Sequence, residues 1–127
     1  MKKFSMIMVL VLLASMILSA CGTTGGEVTE ADCAKAEVLC VGLVTDVGEV
    51  DDKSFNQSAW EGVQQSGADL VKYVETKDAK DYASNIALFG DMKYDVIVTV
   101  GFAMGTASAE AAAKYPDIKF IAVDQGQ

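Results

Sequence analysis

The sequence predicts an α/β fold: a parallel sheet with flanking helices, preceded by an export segment. Three observations carry this. Four short apolar runs of strand length recur along residues 38–123. Stretches with helical periodicity separate them. Each strand–helix–strand unit spans about 20–30 residues, the length of a right-handed βαβ crossover.

The chain begins with Met1-Lys2-Lys3, a nearly unbroken apolar run from Met6 to Leu18, then Ser19-Ala20-Cys21 and a Gly- and Thr-rich stretch. A charged start, an apolar middle and small residues at the end define a secretory signal, assigned to residues 1–20. The apolar run is shorter than the roughly 20 residues of a membrane-spanning helix. Leu18-Ser19-Ala20-Cys21 looks like a bacterial lipobox, in which Cys21 is lipidated and becomes the new N-terminus; the alternative is a plain cleaved signal with an ordinary thiol. Residues 21–37 then form a polar tether. Stable anchoring takes more than one acyl chain, which bacterial lipoproteins of this kind carry.

The first strand is read at Val38–Val44, a continuous apolar run of the kind buried on both faces. Asp46–Asp52 forms a loop. Ser54–Ser66 reads as a helix with Phe55, Ala59 and Val63 on one face, cap candidates Asp51, Asp52 and Ser54, and Gly67 as a stop. Leu70–Val74 is the second strand. Asp78–Met92 is a helix with Tyr82, Ile86 and Phe89 inward. Asp95–Val100 is the third strand, Met104–Lys114 an alanine-rich helix ended by Tyr115-Pro116, and Lys119–Val123 the fourth strand. No helix follows to cover that strand, so one sheet face should stay bare near it. The chain is read as the front part of something longer.

Composition excludes several functions. The net charge is −8, and removal of residues 1–20 takes away two lysines and no acid, leaving −10. All 10 basic residues are lysine, so a nucleic-acid partner, which demands a basic face, is not expected. No histidine is present, which removes His-based triads and the commonest metal ligand. No serine elbow appears, and no cofactor is implied. Cys33 and Cys40 close a short loop just before the first strand, in a compartment that permits disulfides. A bond between them would pin the tether to the body; the alternative is a buried Cys40 and a free Cys33.

In open α/β sheets ligands gather beyond the carboxyl ends of the strands. Three loops arrive there: residues 45–54, 101–105 and 124 onward. In the first, Asp46 has the chemistry to accept hydrogen bonds from paired hydroxyls, Phe55 offers a ring face, and Asn56 both donates and accepts. The competing readings are that Asp51 and Asp52 cap the helix and that Phe55 is core. The acids lack the ordered spacing of a calcium loop. Gly101-Phe102-Ala103-Met104-Gly105 lacks the lysine of a phosphate-binding loop, and its glycines serve either close ligand approach or helix–sheet packing. A phosphoacceptor role for Asp46 is disfavoured, because an exported domain has no ATP-fed kinase partner.

Val41–Gly48, Asp52-Lys53-Ser54-Phe55-Asn56-Gln57-Ser58-Ala59-Trp60-Glu61-Gly62, Val100–Met104 and Tyr115–Phe120 leading to Asp124 resemble the basic membrane protein family. Its members are substrate-binding lipoproteins of ABC transporters, including purine nucleoside receptors. The resemblance implies the first lobe of a type I periplasmic-binding fold, in residues 38–127, with a nucleoside or related solute as ligand. It implies that Asp46 holds ribose hydroxyls, Phe55 stacks on the base, and Asn56 and Asp124 contact the ligand. ABC permease and ATPase subunits are the implied partners, at the extracytoplasmic face of the cell membrane. Many members have two glycines where this chain has Gly48-Glu49. The second lobe would supply the opposing aromatic, so residues 22–127 alone are expected to bind weakly or not at all. A sensory lobe handing its signal to a membrane partner, or an exported flavodoxin-like enzyme, are the alternatives.

Overall fold

A computed structural model describes residues 26–126. The signal segment and Cys21 lie outside the described residues. Four strands, β1 (Cys40–Val47), β2 (Leu70–Thr76), β3 (Val96–Val100) and β4 (Lys119–Val123), form one parallel sheet in the order β2-β1-β3-β4. Three helices connect them: α1 (Phe55–Gln64), α2 (Tyr82–Asp91) and α3 (Gly105–Lys114). Short 3-10 turns at Ala79–Asp81 and Phe102–Met104 lead into α2 and α3.

The strand order explains where the helices sit. The chain moves from β1 outward to β2, then reverses past β1 to β3 and on to β4. With crossovers of one hand, that reversal sends the connecting helices to the opposite face. Alternate residues of each strand therefore feed two separate cores. Val41, Leu43, Val98 and Val100 pack with Val63 of α1. Cys40, Val44 and Ile97 pack with Tyr82, Ile86 and Phe89 of α2 and Ala111 of α3. Phe89 lies directly over Gly42, where any side chain would run into its ring.

With α1 alone on the first face, an apolar trough of about 310 Å³ remains beside it, lined by Leu39, Val41, Ala59, Val63, Val98 and Ile121. Ile121 on β4 keeps 51% of its surface exposed. The bare sheet face expected beside the fourth strand is thus present.

Besides small shifts that extend β2 to Thr76 and trim α1 to Phe55–Gln64 and α2 to Tyr82–Asp91, two larger differences separate the structure from the sequence reading. The first strand runs Cys40–Val47 rather than Val38–Val44. At its start, the Leu39 N–H donates to the Asp69 carboxylate and the Cys40 N–H to that of Asp95, both at 2.8 Å. At its end, the polar residues Thr45 and Asp46 continue the strand, because pairing with β3 extends to Thr45–Val100. Asp46 consequently sits on a strand end rather than in a free loop.

The other difference is at the tether. Residues Glu30–Ala34 form a 3-10 turn docked against the body, so the folded unit reaches back to about Thr29 rather than beginning at Val38. Thr29 and Asp32 cap each other, and Lys35 donates to Asp32 at 2.6 Å. Cys33 and Cys40, both buried, are disulfide-bonded with their Cα atoms 5.6 Å apart. The buried Tyr94 hydroxyl donates to Glu30 at 3.2 Å. Burial first, then the adjacent Glu30 charge, pushes that phenol well above its ordinary pKa, so it remains a donor. Sequence periodicity could not register a turn held by one disulfide and one long-range hydrogen bond.

By chain entropy, a disulfide closing a loop of this length stabilises by roughly 2.5 kcal/mol. Cys33→Ser/Cys40→Ser is expected to lower unfolding free energy by about 2–3 kcal/mol in urea titrations. A loss below about 0.5 kcal/mol would mean that the turn is held by its other contacts.

Candidate functional site

The direction of chain progression reverses between β1 and β3, and the carboxyl ends at such a switch point are where open α/β sheets place their ligands. Thr45 pairs with Val100 in the sheet, so the next residues, Asp46 and Gly101, emerge side by side. They meet closely: a Cβ on Gly101 would fall onto the Asp46 carboxylate. Gly101 also has φ = 112°, a conformation that side chains disfavour. Its N–H donates to the Val123 carbonyl at 3.0 Å, which ties the end of β4 to the same point. Of the two sequence readings of this glycine loop, close packing therefore accounts for Gly101, against a carboxylate rather than a helix. Gly105 has nothing near its missing Cβ.

Asn56, in the first turn of α1, is only 3% exposed. Its Nδ2 donates to the Glu49 carbonyl at 3.2 Å and lies 3.5 Å from Asp46 Oδ1. Gly48 leaves room for it, since a Cβ there would stand 3.3 Å from that nitrogen. The amide nitrogen of Asn56 is thus directed inward, bracing the loop behind Asp46.

Asp52 settles the capping question. Its Oδ1 accepts from the Ser54 N–H at 2.7 Å and the Gln57 N–H at 3.2 Å, while the Ser54 side chain makes no capping bond. Desolvation pushes the Asp52 carboxyl upward, but the backbone N–H groups outweigh it and hold the pKa below its ordinary value. A third carboxylate, Glu75 at the end of β2, accepts from the Val50 N–H at 2.8 Å. That bond, then Lys77, lowers the Glu75 pKa. Sequence reasoning missed Glu75; its one signal was a charged residue near the end of a strand that points toward the switch point.

The aromatic candidates face outward. Phe55 is 56% exposed, which fits the reading of its ring as an available face and not the reading of it as core. It is the first residue of α1 and stays outside the core cluster that takes Ala59 and Val63 of the same helix. Phe102, following Gly101, is 77% exposed and borders an open hollow of about 690 Å³ with Ala103, Thr106, Glu110 and Gly126. Asp124 is exposed and left-handed, with φ = 54°. The structure therefore brings together Asp46, Asn56 and Gly101, and leaves Phe55, Phe102 and Asp124 as exposed groups following strand ends. Another hollow, about 500 Å³, lies at the opposite pole between the Cys33 turn and the C-termini of α2 and α3. It is remote from the switch point, where ligands of such sheets collect.

A four-stranded parallel sheet with helices on both faces, and a carboxylate packed against Gly101 at its switch point, is an open α/β unit. Among the described residues, no group of His, Cys, Asp and Glu is arranged to hold a metal ion. The sequence profile of the family described as "ABC transporter substrate-binding protein PnrA-like" matches residues 40–126, and the chain belongs to this family. By that description, the family's role is substrate binding for ABC transporters. A "CD4+ T-cell-stimulating antigen" of Listeria innocua is 32% identical over 97% of this chain, which covers 37% of that protein. The "ABC transporter nucleoside-binding protein BmpA" of Lactococcus lactis is 35% identical over 83% of this chain and 30% of its own length. The chain thus spans about a third of the length of these curated relatives. Among solved structures, a solute-binding protein of an ABC transporter system from Aeropyrum pernix superposes with a TM-score of 0.58 at 26% identity, over 70% of this chain and 25% of that one. A second, from Conexibacter woesei, gives 0.52 at 20% identity, over 65% and 28%, and shares the fold.

Gly101→Ala should force the Asp46 carboxylate aside and strain the backbone. The expected cost is about 2 kcal/mol or more in urea unfolding, with displaced Asp46 resonances in NMR spectra. An unchanged midpoint with Asp46 unmoved would contradict the close packing.

Proposed function

We propose that this chain is the solute-capturing lobe of a membrane-anchored, extracytoplasmic lipoprotein of an ABC importer, and that its solute is a purine nucleoside or a close relative. The observation that carries the reading is Asp46, held by Gly101 and Asn56 at the switch point of a sheet belonging to a substrate-binding family. A fixed carboxylate there suits a pair of sugar hydroxyls, which donate to its two oxygens. Phe55, exposed at the start of α1, supplies a ring for the base to lie on. Phe102 and Asp124, exposed after the ends of β3 and β4, are further candidate contacts, and Gly101 contributes by packing against Asp46. The nucleoside-binding name of the Lactococcus relative supports the choice of ligand.

One lobe offers one side of a clamp. A single aromatic stack contributes on the order of 1 kcal/mol, too little to offset the entropy lost on capture. Tight binding would therefore use a second lobe closing over Phe55, followed by delivery to permease and ATPase subunits. Cys21 would carry the lipid, and relatives in Pyrococcus are named lipoproteins. The docked turn at Glu30–Ala34 leads into the amino end of β1, so the anchor and the switch point would lie at opposite poles of the lobe.

In the full-length protein, Asp46→Ala should weaken nucleoside binding about 10- to 100-fold by calorimetry, since the hydroxyls lose a charged acceptor. Phe55→Ala should weaken it several-fold. Wild-type affinity in both variants would refute the nucleoside assignment. Cys21→Ser should move the protein from the membrane to the soluble fraction; unchanged membrane association would refute the lipid anchor.

A further inference from the structure

Between the end of β1 and the start of α1, the sheet no longer fixes the backbone. Pairing of β1 with β2 shifts register between Val44 and Val47, and the next seven residues belong to neither strand nor helix. This segment nevertheless joins Asp46 to Phe55, so its path decides how carboxylate and ring are spaced. Asp52 ties down the segment's helix end, and three further side chains fix its first three residues. Thr45 Oγ1 donates to the Gly48 carbonyl at 3.1 Å. Asn56 Nδ2 donates to the Glu49 carbonyl at 3.2 Å, and Glu75 Oε1 accepts from the Val50 N–H at 2.8 Å.

The last two bonds grip a single peptide unit. The Glu49 carbonyl and the Val50 N–H lie on opposite edges of one planar group. Asn56 holds one edge from α1 and Glu75 holds the other from β2. A peptide plane fixed at both edges cannot rotate without breaking one bond. The bond to Glu75 is the shorter, and its acceptor is ionised. Glu75 spends only one oxygen on it. The other, Oε2, faces Lys77 at 3.2 Å in an exposed pair that contributes little by itself.

We propose that Glu75 is a positioning residue of the solute site, which locks the Glu49–Val50 peptide and thereby sets the spacing of Asp46 and Phe55. The inference rests on the reading of those two residues as solute contacts. Glu75 need not touch the solute; it acts from the neighbouring strand, through the loop. A loop lacking this lock would sample several paths, and binding would have to select the competent one. Affinity would fall by the fraction of chains in that state.

The test compares Glu75→Ala, Glu75→Gln and Lys77→Ala in the full-length protein. Glu75→Ala should raise amide exchange at Val50 about 10- to 100-fold while leaving exchange in the β1–β3 pairs unchanged. Glu75→Gln keeps an accepting oxygen and should recover most of the protection; Lys77→Ala should match wild type. Inosine affinity, measured by calorimetry, should fall about tenfold in Glu75→Ala and recover largely in Glu75→Gln. Wild-type exchange at Val50 in Glu75→Ala would overturn the lock. Faster exchange with undiminished inosine affinity, in a protein whose Asp46→Ala variant binds poorly, would overturn the positioning role and leave the solute site standing. If Asp46→Ala binds inosine like wild type, the solute reading is what fails, and the lock is judged by Val50 exchange alone.

Discussion

The candidate site depends on one close approach, that of the Asp46 carboxylate to the backbone of Gly101. Nothing in the local sequence around either residue requires it. It follows from the pairing of β1 with β3, which brings Thr45 opposite Val100 and leaves the next residue of each strand with nowhere to go but against the other. Only glycine fits at position 101, on two counts: its φ of 112° and the occupied space where a Cβ would stand. Because Gly101 also binds the Val123 carbonyl, one residue gathers the carboxyl ends of β1, β3 and β4.

Around that point the carboxyl ends of the strands turn from apolar to polar, and each buried hydroxyl there is used. Thr45 Oγ1 accepts from the Thr76 N–H at 3.2 Å, linking β1 to β2. Asn85 of α2 donates to the Thr76 hydroxyl at 3.0 Å. Ser108 of α3 donates to the Thr99 hydroxyl at 2.8 Å, and Gln125 donates to the same threonine's hydroxyl and carbonyl, both at 3.1 Å. Buried polar groups left unpaired would each cost about 1–3 kcal/mol, so a network of this kind fixes its members in place. Among the described residues, no buried side-chain nitrogen or oxygen lacks a partner. The opposite pole is held differently, by the Cys33–Cys40 bond and by Asp69 and Asp95 reaching the first amides of the β1 segment.

Much of the architecture was legible in the sequence because it rests on period and length. β4 was read at its observed limits, and Tyr82, Ile86 and Phe89 of α2 are buried as their spacing predicts. Pattern failed where an interaction between distant residues decides the outcome. Phe55 keeps helical register with Ala59 and Val63, yet stays 56% exposed while Val63 is buried. The end of β1 is set by its partner strand, and the turn at Glu30–Ala34 by a disulfide and by Tyr94, 64 residues away. At the site, residue chemistry drew attention to Asp46 and Asn56, but only the fold shows that Asn56 directs its amide inward. Glu75 was invisible for the same reason, since its partner Val50 lies 25 residues earlier in the chain.

The central claim is that solute is received at the switch point between β1 and β3. A titration of the ¹⁵N-labelled full-length protein with inosine at millimolar concentration tests it directly. Backbone shifts are expected to concentrate at residues 45–56, at Gly101 and Phe102, and at Asp124, with the pole around Cys33, Tyr94 and Tyr115 silent. Shifts centred on that pole, or none at all, would contradict it.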